Sequence, residues 1–427
     1  MILVYSHKNT PRLVYVLNVI CTSILKIPFR VVTSVDDFKK SNNCYKLNYS
    51  SDVIENSYRI EPSALLFETT ICKQLTDVTW VSNIPYFFKT ETGFDILAAS
   101  FWMLTRYEEY LDVDTDNHGR YKAENSLAYK EEFLQLPVVN IWVQELKDKL
   151  SLQKLDVEFP TSEFSFLNTF DIDTAYAFKG KGFKRAFLRF CKCILSFRFT
   201  ELKDTFKYLF NGDDFYDTYP YILDKSKNIE NLFFFLIAKV SPFDKGLSIK
   251  KNAFKKLIQK ISKTNTVGIH PSYVSFLSKD KIVDEKNTLA KAVGAIIDKS
   301  RQHYLRLKLP ESYNVLMASD VKEDYSMGYA SQIGFRAGVC TPYSFYDLQK
   351  EEEQGLKIVP FQIMDVTLNV YLKLTPSEAI DQQKKIINSV KAVNGTFVSL
   401  WHNSSLTERD NWKGWRLVYE AMLHSVK

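Results

Sequence analysis

Two aspartates lie two residues apart at the end of an apolar, strand-like stretch of the sequence. The stretch is FSFLNTFDID, and an extended chain would place the side chains of Asp171 and Asp173 on the same face. Two carboxylates this close repel each other unless a cation lies between them. The spacing therefore indicates one metal ligand and one acid or base group. The alternative is a turn with two solvated aspartates at a strand end.

Histidines supply the other candidate ligands and a candidate acid. His270 in GIHPSY ends a short apolar run, so its imidazole would lie at a strand end and could bind zinc or a similar divalent ion with a carboxylate. We expect the third ligand from His303 in SRQHYLRL, although a packing role in the core suits that histidine equally well. His402 in SLWHN ends the last run and is placed to give a proton to a leaving amine.

Two arginines complete the candidate set. Arg306 lies in the same segment as His303, and Arg336 lies in QIGFRAG. A guanidinium can orient a carboxylate or hold substrate oxygens through paired hydrogen bonds. On an extended segment His303 and Arg306 would face opposite ways, so one of the two is expected to point away from the site.

Strands and helices must bring these distant residues together. From residue 164 onward short apolar runs alternate with helical stretches, and the runs span 164–173, 231–238, 266–270, 303–307, 332–338, 356–361 and 396–402. Apolar strands that alternate with helices are typical of a parallel sheet covered on both faces. In a β/α barrel the functional groups come from the carboxyl ends of several strands. We therefore predict an α/β fold in which these strand ends meet.

The preceding part of the chain is predicted to form a separate unit. It opens as strand, helix and strand, over residues 2–5, 12–25 and 29–33. A polar stretch with a proline follows at 151–165, so we predict an N-terminal α/β domain of unknown role over 1–155 and a catalytic domain over 160–427. The segments LTRYEEY and DNHGRY could line the mouth of a cleft. We favour a structural role for both, with an ion pair between Arg106 and Glu109 at a helix end.

The charge balance argues against a nucleic-acid partner. The net charge is +6, from 56 basic and 50 acidic residues among 427, whereas nucleic-acid binding needs a concentrated basic face. One basic cluster occurs at 179–198, within a basic helical insertion predicted at about 178–225. We expect it to cover the core with a solvated basic face, or to contact an anionic membrane surface or a lipid-linked glycan.

Cysteine usage and the N-terminal residues predict a cytoplasmic protein. The six cysteines have no zinc-type Cys-x-x-Cys spacing, and we expect reduced thiols. The N-terminal residues lack the pattern of a signal peptide, and the apolar runs are too short to span a bilayer.

The motifs and their order resemble those of the NodB-like polysaccharide deacetylases, carbohydrate esterase family four. TFDID resembles the family's Thr-Phe-Asp-Asp opening, VGIHPSY lies where its histidine motif lies, RLKLPESYNVL resembles its Arg-and-Pro motif, and SLWHN resembles its closing Leu-x-His motif. The resemblance covers residues 163–427. Phrases such as DYSMGYASQIGFRAG and KGWRLVYEAML are similar to a bacterial subgroup with an extra N-terminal domain, which residues 1 to about 155 resemble.

The resemblance implies a distorted (β/α) barrel of about seven strands that hydrolyses an N-linked or O-linked acetyl group on a sugar. By position, Asp171 would be the general base, Asp173 and His270 metal ligands, and His402 the general acid. A divalent metal, for which we expect zinc, would polarise the acetyl carbonyl and lower the pKa of an attacking water. The implied partner is an acetylated saccharide or polysaccharide.

The resemblance also implies that Arg306 or Arg336 holds the base in its charged form. Two departures concern the metal site: Ile172 separates aspartates that are adjacent in the family, and Val274 stands where the family has a second histidine. His303, Ser275 or a water would have to replace that ligand.

Two other functions suit the same residues. A glycosidase would use Asp171 and a second carboxylate, such as Asp324 or Asp365, without a metal. A degenerate family member would bind a glycan or a partner through its cleft without catalysis, which the missing second histidine would permit. Metal bound to the purified protein would distinguish the deacetylase from both.

Overall fold

The computed structural model describes residues 1–111, 114–155, 158–181 and 199–427, with only the backbone of the helix described at 199–204. Most of the basic cluster predicted at 179–198 lies outside the described residues. Within the described ranges, every helix is too short or too polar to pass through a bilayer. The described cysteines, Cys21, Cys44, Cys72 and Cys340, are free thiols, as expected.

The N-terminal part is built on a parallel four-stranded sheet. Its strands are β1 (Ile2–Ser6), β2 (Phe29–Val32), β3 (Tyr45–Tyr49) and β4 (Tyr58–Ile60), in the order β2-β1-β3-β4. A hairpin of β5 (Thr79–Val81) and β6 (Ile84–Tyr86) follows. The helices are α1 (Pro11–Leu17), continued by a π-helical segment (Asn18–Ile24), α2 (Val35–Lys40), α3 (Ile96–Thr105), α4 (Leu127–Lys130) and α5 (Val138–Ser151). The predicted strand-helix-strand opening is confirmed.

The rest of the chain forms a nine-stranded sheet in the order β12-β13-β11-β10-β9-β8-β7-β15-β14. Its strands are β7 (Ser165–Ile172), β8 (Asn231–Leu236), β9 (Thr266–His270), β10 (Lys299–Ser300), β11 (Glu323–Asp324), β12 (Tyr343–Asp347), β13 (Glu352–Ile358), β14 (Ile363–Met364) and β15 (Thr396–His402). All neighbours are parallel except β12 and β13. The predicted parallel sheet is confirmed, but the runs 303–307 and 332–338 are not strands.

Helices connect these strands, as the alternating pattern predicts. They are α6 (Phe199–Asn211), α7 (Tyr219–Lys225), α8 (Asn252–Ile261), α9 (Lys279–Val293), α10 (Glu311–Ala318), α11 (Pro376–Ala392) and α12 (Trp415–Ser425). The start of α11 shows why a helix forms there. Thr375 and Glu378 make a reciprocal capping box, and Pro376 suits the first helical position because its φ is fixed.

The sheet curls around an apolar cluster. Leu167 of β7, Phe234 of β8 and Leu400 of β15 pack there with Phe361, which lies in the segment between β13 and β14. The segment between β13 and β14 makes backbone hydrogen bonds to strands from both halves of the sheet. Val359 N donates to the carbonyl oxygen of Asp324 in β11, and Gln362 N donates to a carbonyl oxygen in β15. Among the described strands β12 and β14 remain edges, so a closed barrel of seven strands is not confirmed.

The N-terminal part packs directly against this sheet. One buried cluster joins Leu13 and Phe101 of the N-terminal part with Tyr346 and Ile358 of β12 and β13. An ion pair with a fully buried guanidinium crosses the same boundary, since Arg12 Nε lies 2.8 Å from Glu351 Oε2. The predicted domain limits stay a prediction, but the two parts share one hydrophobic core.

Candidate active site

The carboxyl ends of β7, β9 and β15 meet at one edge of the nine-stranded sheet. Asp171 in β7 lies opposite His402 in β15, and His270 is the last residue of β9, with only β8 between β9 and β7. Asp173 follows β7, and His303 lies just beyond β10. All five residues line one cleft of about 330 Å³. The structure thus brings together the aspartates and histidines selected from the sequence.

Asp173 lies at the centre of this group. Its Oδ1 is 3.2 Å from Nε2 of His270, and its Oδ2 is 3.6 Å from Nε2 of His303. The same Oδ2 is 3.7 Å from Nε2 of His402. Asp171 Oδ2 lies 3.8 Å from Nε2 of His270. Three imidazoles therefore present the same ring nitrogen to two carboxylates.

The backbone fixes the other ring nitrogen of His270. Its Nδ1 lies 2.5 Å from the carbonyl oxygen of Arg301. A carbonyl oxygen only accepts hydrogen bonds, so Nδ1 carries the proton and Nε2 of the neutral ring has a lone pair. That lone pair faces Oδ1 of Asp173, and the two repel each other unless a proton or a cation lies between them. Histidines that bind metals are commonly oriented in this way through their second nitrogen.

Buried carboxylates orient the other two histidines. His303 Nδ1 donates to Asp244 Oδ1 at 2.9 Å, and His402 Nδ1 donates to Asp365 Oδ1 at 2.8 Å. Both aspartates are fully buried. Asp365 also accepts from the backbone N–H of His402 at 2.6 Å and from the hydroxyl of Ser405. These acceptors keep the Nδ1 proton in place and turn Nε2 of each ring towards the cleft.

The close packing of acids and bases shifts the pKa of several groups. Burial alone would raise the pKa of Asp173, but the charge of His303 outweighs it and holds that pKa well below its usual range. Burial alone would lower the pKa of His303 and His402. Asp173 instead raises the pKa of His303 to about 9, and Asp365 raises the pKa of His402 to about 10. The site therefore holds protons firmly, and a metal ion can take over part of that positive charge.

Asp173, His270 and His303 form a group that could hold a metal ion. Their ligand atoms all lie within 4.8 Å of one another. Oδ1 of Asp173 is buried and has no hydrogen-bond partner among the described residues. A buried polar atom without a partner is costly, and a cation satisfies a carboxylate oxygen. One carboxylate and two imidazoles suit zinc and similar divalent ions. The residues present therefore fit a metal, whose identity stays a prediction.

Arg301 holds Asp171. Its Nη1 donates to Asp171 Oδ1 at 2.9 Å and to Thr169 Oγ1 at 2.7 Å, and its Nε donates to the carbonyl oxygen of Tyr325 at 2.9 Å. The guanidinium is fully buried and lies over the ring of Phe234, with Cζ 4.6 Å from the ring centroid. Asp171 is thus held in one orientation, with Oδ2 towards His270.

The expected role of Arg306 or Arg336 is corrected by these contacts. Arg306 donates to the carbonyl oxygens of His118 and Tyr273 at 2.9 and 3.1 Å. Arg336 makes a double hydrogen bond to Glu109, at 2.9 and 2.6 Å. Neither arginine contacts Asp171 in the described part of the chain. The physical reason is that residues 303–305 form a 3-10 turn rather than a strand, which directs Arg306 away from the cleft.

Sequence reasoning missed Arg301, although a signal was present. Strand β10 ends at Ser300, and Arg301 follows it directly. Arg301 and His303 are two residues apart, as Asp171 and Asp173 are. If the extended segment is taken to begin at residue 299 instead of 303, Arg301 and His303 lie two residues apart on it and face the same side, so the rule that selected the aspartates also selects Arg301.

The N-terminal part supplies a wall of the cleft. Arg120 of DNHGRY lines it and donates from Nη1 to the carbonyl oxygen of Tyr304 at 2.9 Å. The favoured structural role for this segment was therefore incomplete. For LTRYEEY the expected ion pair is confirmed, since Arg106 Nε lies 2.8 Å from Glu109 Oε1 with both side chains buried. The polar segments of the two parts meet at the cleft rim.

The carboxylates considered for a glycosidase lie elsewhere. Asp324 and Asp365 are fully buried, and neither is among the described residues that line the cleft. Asp324 accepts hydrogen bonds from the hydroxyls of Ser300 and Ser326 at 2.8 and 3.0 Å, and burial raises its pKa to about 6. Neither aspartate can act with Asp171 across a bound sugar, so that hypothesis loses both proposed partners.

Comparison with known proteins gives one family match and several distant structural neighbours. A family of unknown function, DUF7033, matches residues 2–155. No curated protein matches the sequence. A structure from Mycobacterium smegmatis, provisionally described as a polysaccharide deacetylase, is 14% identical over 62% of this chain and 86% of that chain, with a TM-score of 0.40.

Two further neighbours carry related descriptions. A polysaccharide deacetylase from Bacillus cereus is 12% identical, with a TM-score of 0.30, over 62% of this chain and 87% of that chain. A mutant of a CE4 family pseudoenzyme with restored enzymatic activity is 13% identical, with a TM-score of 0.30, over 61% and 62% of the two chains. TM-scores this low identify no activity, so we base the function on the geometry of the site.

Proposed function

We propose that this chain is a metal-dependent hydrolase that removes N-linked or O-linked acetyl groups from a carbohydrate. The observation that carries the proposal is the orientation of the three imidazoles, each with Nδ1 bound to an acceptor and Nε2 turned towards Asp173. A histidine packed in a core has no need for this shared orientation. Acid, base and ligand groups instead face one small space, which hydrolysis of an acyl bond requires.

Asp173, His270 and His303 are the proposed ligands of a divalent metal, for which we expect zinc. When bound, the metal polarises the acetyl carbonyl and lowers the pKa of the attacking water. His303 takes the place of the second histidine of the NodB-like motif, where this chain has Val274. The second nitrogen of each histidine ligand is already bound to the protein, so little reorganisation is needed for binding.

Asp171 is the proposed general base. Arg301 fixes Oδ1 through a hydrogen bond, which leaves Oδ2 to take a proton from the attacking water. His402 is the proposed general acid. Asp365 raises the pKa of His402, to about 10 in the metal-free protein, which favours a protonated Nε2 that can give its proton to the leaving amine or alcohol. Base and acid lie opposite each other on neighbouring strands.

The proposal includes the identity of the fold and the setting of the reaction. We assign residues 160–427 to the NodB-like deacetylases, with the distorted (β/α) barrel of that family, and residues 1–155 to a domain found in one bacterial subgroup. The motif order and the curled parallel sheet support this assignment. A cytoplasmic location, and contact of 179–198 with a membrane or a lipid-linked glycan, remain predictions of the same proposal.

Acetate release tests the proposal directly. The purified chain, with and without added zinc, cobalt, nickel or manganese, is incubated with a panel of acetylated saccharides. We expect metal-dependent release that Asp171→Asn slows by about 10²–10⁴-fold while the variant remains folded and binds metal. Metal binding without release from any saccharide would instead support a glycan-binding protein that has lost catalysis. Release that a chelator does not reduce would contradict the metal-dependent mechanism.

A further inference from the structure

The segment that follows the proposed ligand His303 has an unusual backbone. Tyr304 and Leu305 both have a positive φ, of 61° and 54°. Residues with a side chain rarely adopt this left-handed region, and two in succession persist only when the surrounding structure holds them there. Leu305 packs into the apolar cluster inside the sheet, whereas Tyr304 lines the cleft. The contacts that fix Tyr304 therefore also bear on the position of His303.

Two reciprocal hydrogen bonds join this segment to the N-terminal part. Arg120 Nη1 donates to the carbonyl oxygen of Tyr304, and Arg306 Nε donates to the carbonyl oxygen of His118, both at 2.9 Å. Each guanidinium thus binds the backbone of the segment that carries the other. The ring of His118 also packs against the ring of Tyr304, with the centroids 4.8 Å apart. The turn at 116–120 of the N-terminal part therefore holds Tyr304 through both its backbone and its ring.

Arg120 is itself fixed within its own turn. Asp116 Oδ2 accepts from Arg120 Nε at 2.7 Å, and Asp116 Oδ1 accepts from the backbone N–H groups of His118 and Arg120 at 2.8 and 3.0 Å. Gly119 has a φ of 71°, which suits a residue without a side chain and lets the turn close tightly. Only 12% of the Arg120 side chain is exposed. The guanidinium is thus oriented towards Tyr304 in advance and does not have to be ordered for this contact.

The same contacts reach the segment that follows the other histidine ligand. Arg306 Nη1 donates to the carbonyl oxygen of Tyr273 at 3.1 Å, and its Cζ lies 4.1 Å from the centroid of the Tyr273 ring. Tyr273 comes three residues after His270, which ends β9. The backbone N–H of Tyr273 donates at 2.8 Å to Asp244, the carboxylate that orients His303. The segments after both histidine ligands are therefore connected to the turn at 116–120.

We infer that Arg120 is a positioning residue for the metal site, because it holds the carbonyl oxygen of Tyr304 and thereby fixes the backbone next to His303. The inference rests on the proposed metal-dependent function and gives the N-terminal part a role in it. Strand β10, which precedes His303, has two residues, whereas β7, which precedes Asp173, has eight. The sheet thus fixes the segment of His303 over a much shorter stretch, and the N-terminal part adds the support that this ligand needs.

Cobalt binding to the full-length, metal-free chain tests the inference without a measurement of activity. The proteins are wild type, Arg120→Met, Arg120→Lys and Arg59→Met, each checked for folding by circular dichroism. Methionine keeps an apolar stem and removes every donor. Arg59 is the matched control, since it also donates from Nη1 to a backbone carbonyl oxygen, that of Ser51 at 2.8 Å, within the N-terminal part. The readouts are the dissociation constant for Co²⁺ and the visible absorption spectrum of the bound ion, which depends on its coordination geometry.

We expect Arg120→Met to weaken cobalt binding by about tenfold and to change the spectrum, as for other residues that orient a metal ligand. Arg120→Lys should recover part of the affinity, because an ammonium can still donate to the Tyr304 carbonyl oxygen, and Arg59→Met should match wild type. If Arg120→Met does not fold, Asp116→Asn should weaken binding in the same direction, because it loosens the hold on Arg120.

Two results would overturn the inference alone and leave the proposed function standing. One is wild-type affinity and spectrum in the folded Arg120→Met variant, or in Asp116→Asn where that variant replaces it. The other is an equal loss of affinity in Arg59→Met. Absence of cobalt binding by folded wild type would overturn the metal site of the proposed function and the inference with it.

Discussion

Arg301 and Asp171 lie 130 positions apart in the chain, yet the guanidinium Nη1 of one is 2.9 Å from the carboxylate Oδ1 of the other. Both side chains are buried, and Arg301 is also bound to Thr169 and to the backbone at Tyr325. The pair fixes one carboxylate oxygen and leaves the second one towards the cleft. This arrangement holds the Asp171 side chain in one position, which its proposed role as the base requires.

Replacing the base should remove catalysis and leave the metal site intact. Asp171→Asn keeps the shape of the side chain but cannot accept a proton at Oδ2. We expect kcat to fall by about 10²–10⁴, the usual contribution of general acid–base catalysis. Metal content and thermal stability, measured on the same preparation, serve as controls. Acetate release at the wild-type rate from the folded, metal-loaded variant would exclude Asp171 as the base.

Two buried arginines should give different losses when each becomes lysine. Arg301→Lys loses the planar group that orients Asp171, so we expect kcat to fall by about 10–100-fold, as for other groups that orient a site. Arg336→Lys is the matched control, because Arg336 pairs with Glu109 away from the catalytic groups. Weakening that buried pair should cost up to about 3–5 kcal/mol of folding free energy, while kcat on an acetylated monosaccharide stays the same. Urea unfolding and steady-state rates are measured on both variants. A larger loss of kcat in Arg336→Lys than in Arg301→Lys would contradict the role of Arg301.

Metal affinity should increase with pH up to about 9. The pKa of His303 is about 9 in the metal-free protein, so below that pH a proton must leave Nε2 before the metal binds. We therefore expect affinity to rise by up to about tenfold per pH unit between pH 7 and 9, with close to one proton released from His303. Isothermal titration calorimetry in buffers of different ionisation enthalpy measures both quantities. Affinity that does not change over this range would contradict the role of His303.

The alkaline limit of activity should depend on Asp365. Its negative charge raises the pKa of His402, and loss of the His402 proton removes the general acid. Asp365→Asn lowers that pKa, so activity should fall at a lower pH than in wild type. A bound cation near Asp173 lowers the pKa of His402 in both proteins, so the wild-type limit should lie below about pH 10. A kcat–pH profile with the same alkaline limb in both proteins would argue against His402 as the acid.

The sequence predicts those parts of the site that occur where long, apolar strands end. Asp171, His270 and His402 each close a stretch with a strong strand pattern, and the structure places all three in one cleft. Strands β10 and β11 have only two residues each, which is too short for any periodicity to show. Because β10 was not predicted, Arg301 was not recognised as a residue that follows a strand end.

The residues that orient the histidines could not be predicted from local pattern. Asp244 is 59 positions from His303, and Asp365 is 37 positions from His402. Such contacts depend on how the sheet curls, and no hydrophobic period encodes them. His303 is predicted as the third ligand only because it is the best histidine available nearby, and it begins the predicted run 303–307 rather than ending it. For the turn at Arg120 the sequence left both roles open and favoured the structural one, because a polar turn has the same composition whether it lies at a cleft or at an ordinary surface.

Metal stoichiometry in four proteins tests the central claim most directly. Wild type, Asp173→Asn, His303→Ala and His402→Ala are loaded with zinc, desalted and measured by inductively coupled plasma mass spectrometry alongside their circular dichroism. We predict one zinc per chain in wild type and in His402→Ala, and loss of most bound zinc in the two ligand variants. Absence of zinc from folded wild type, or full retention by His303→Ala, would contradict a metal site formed by Asp173, His270 and His303.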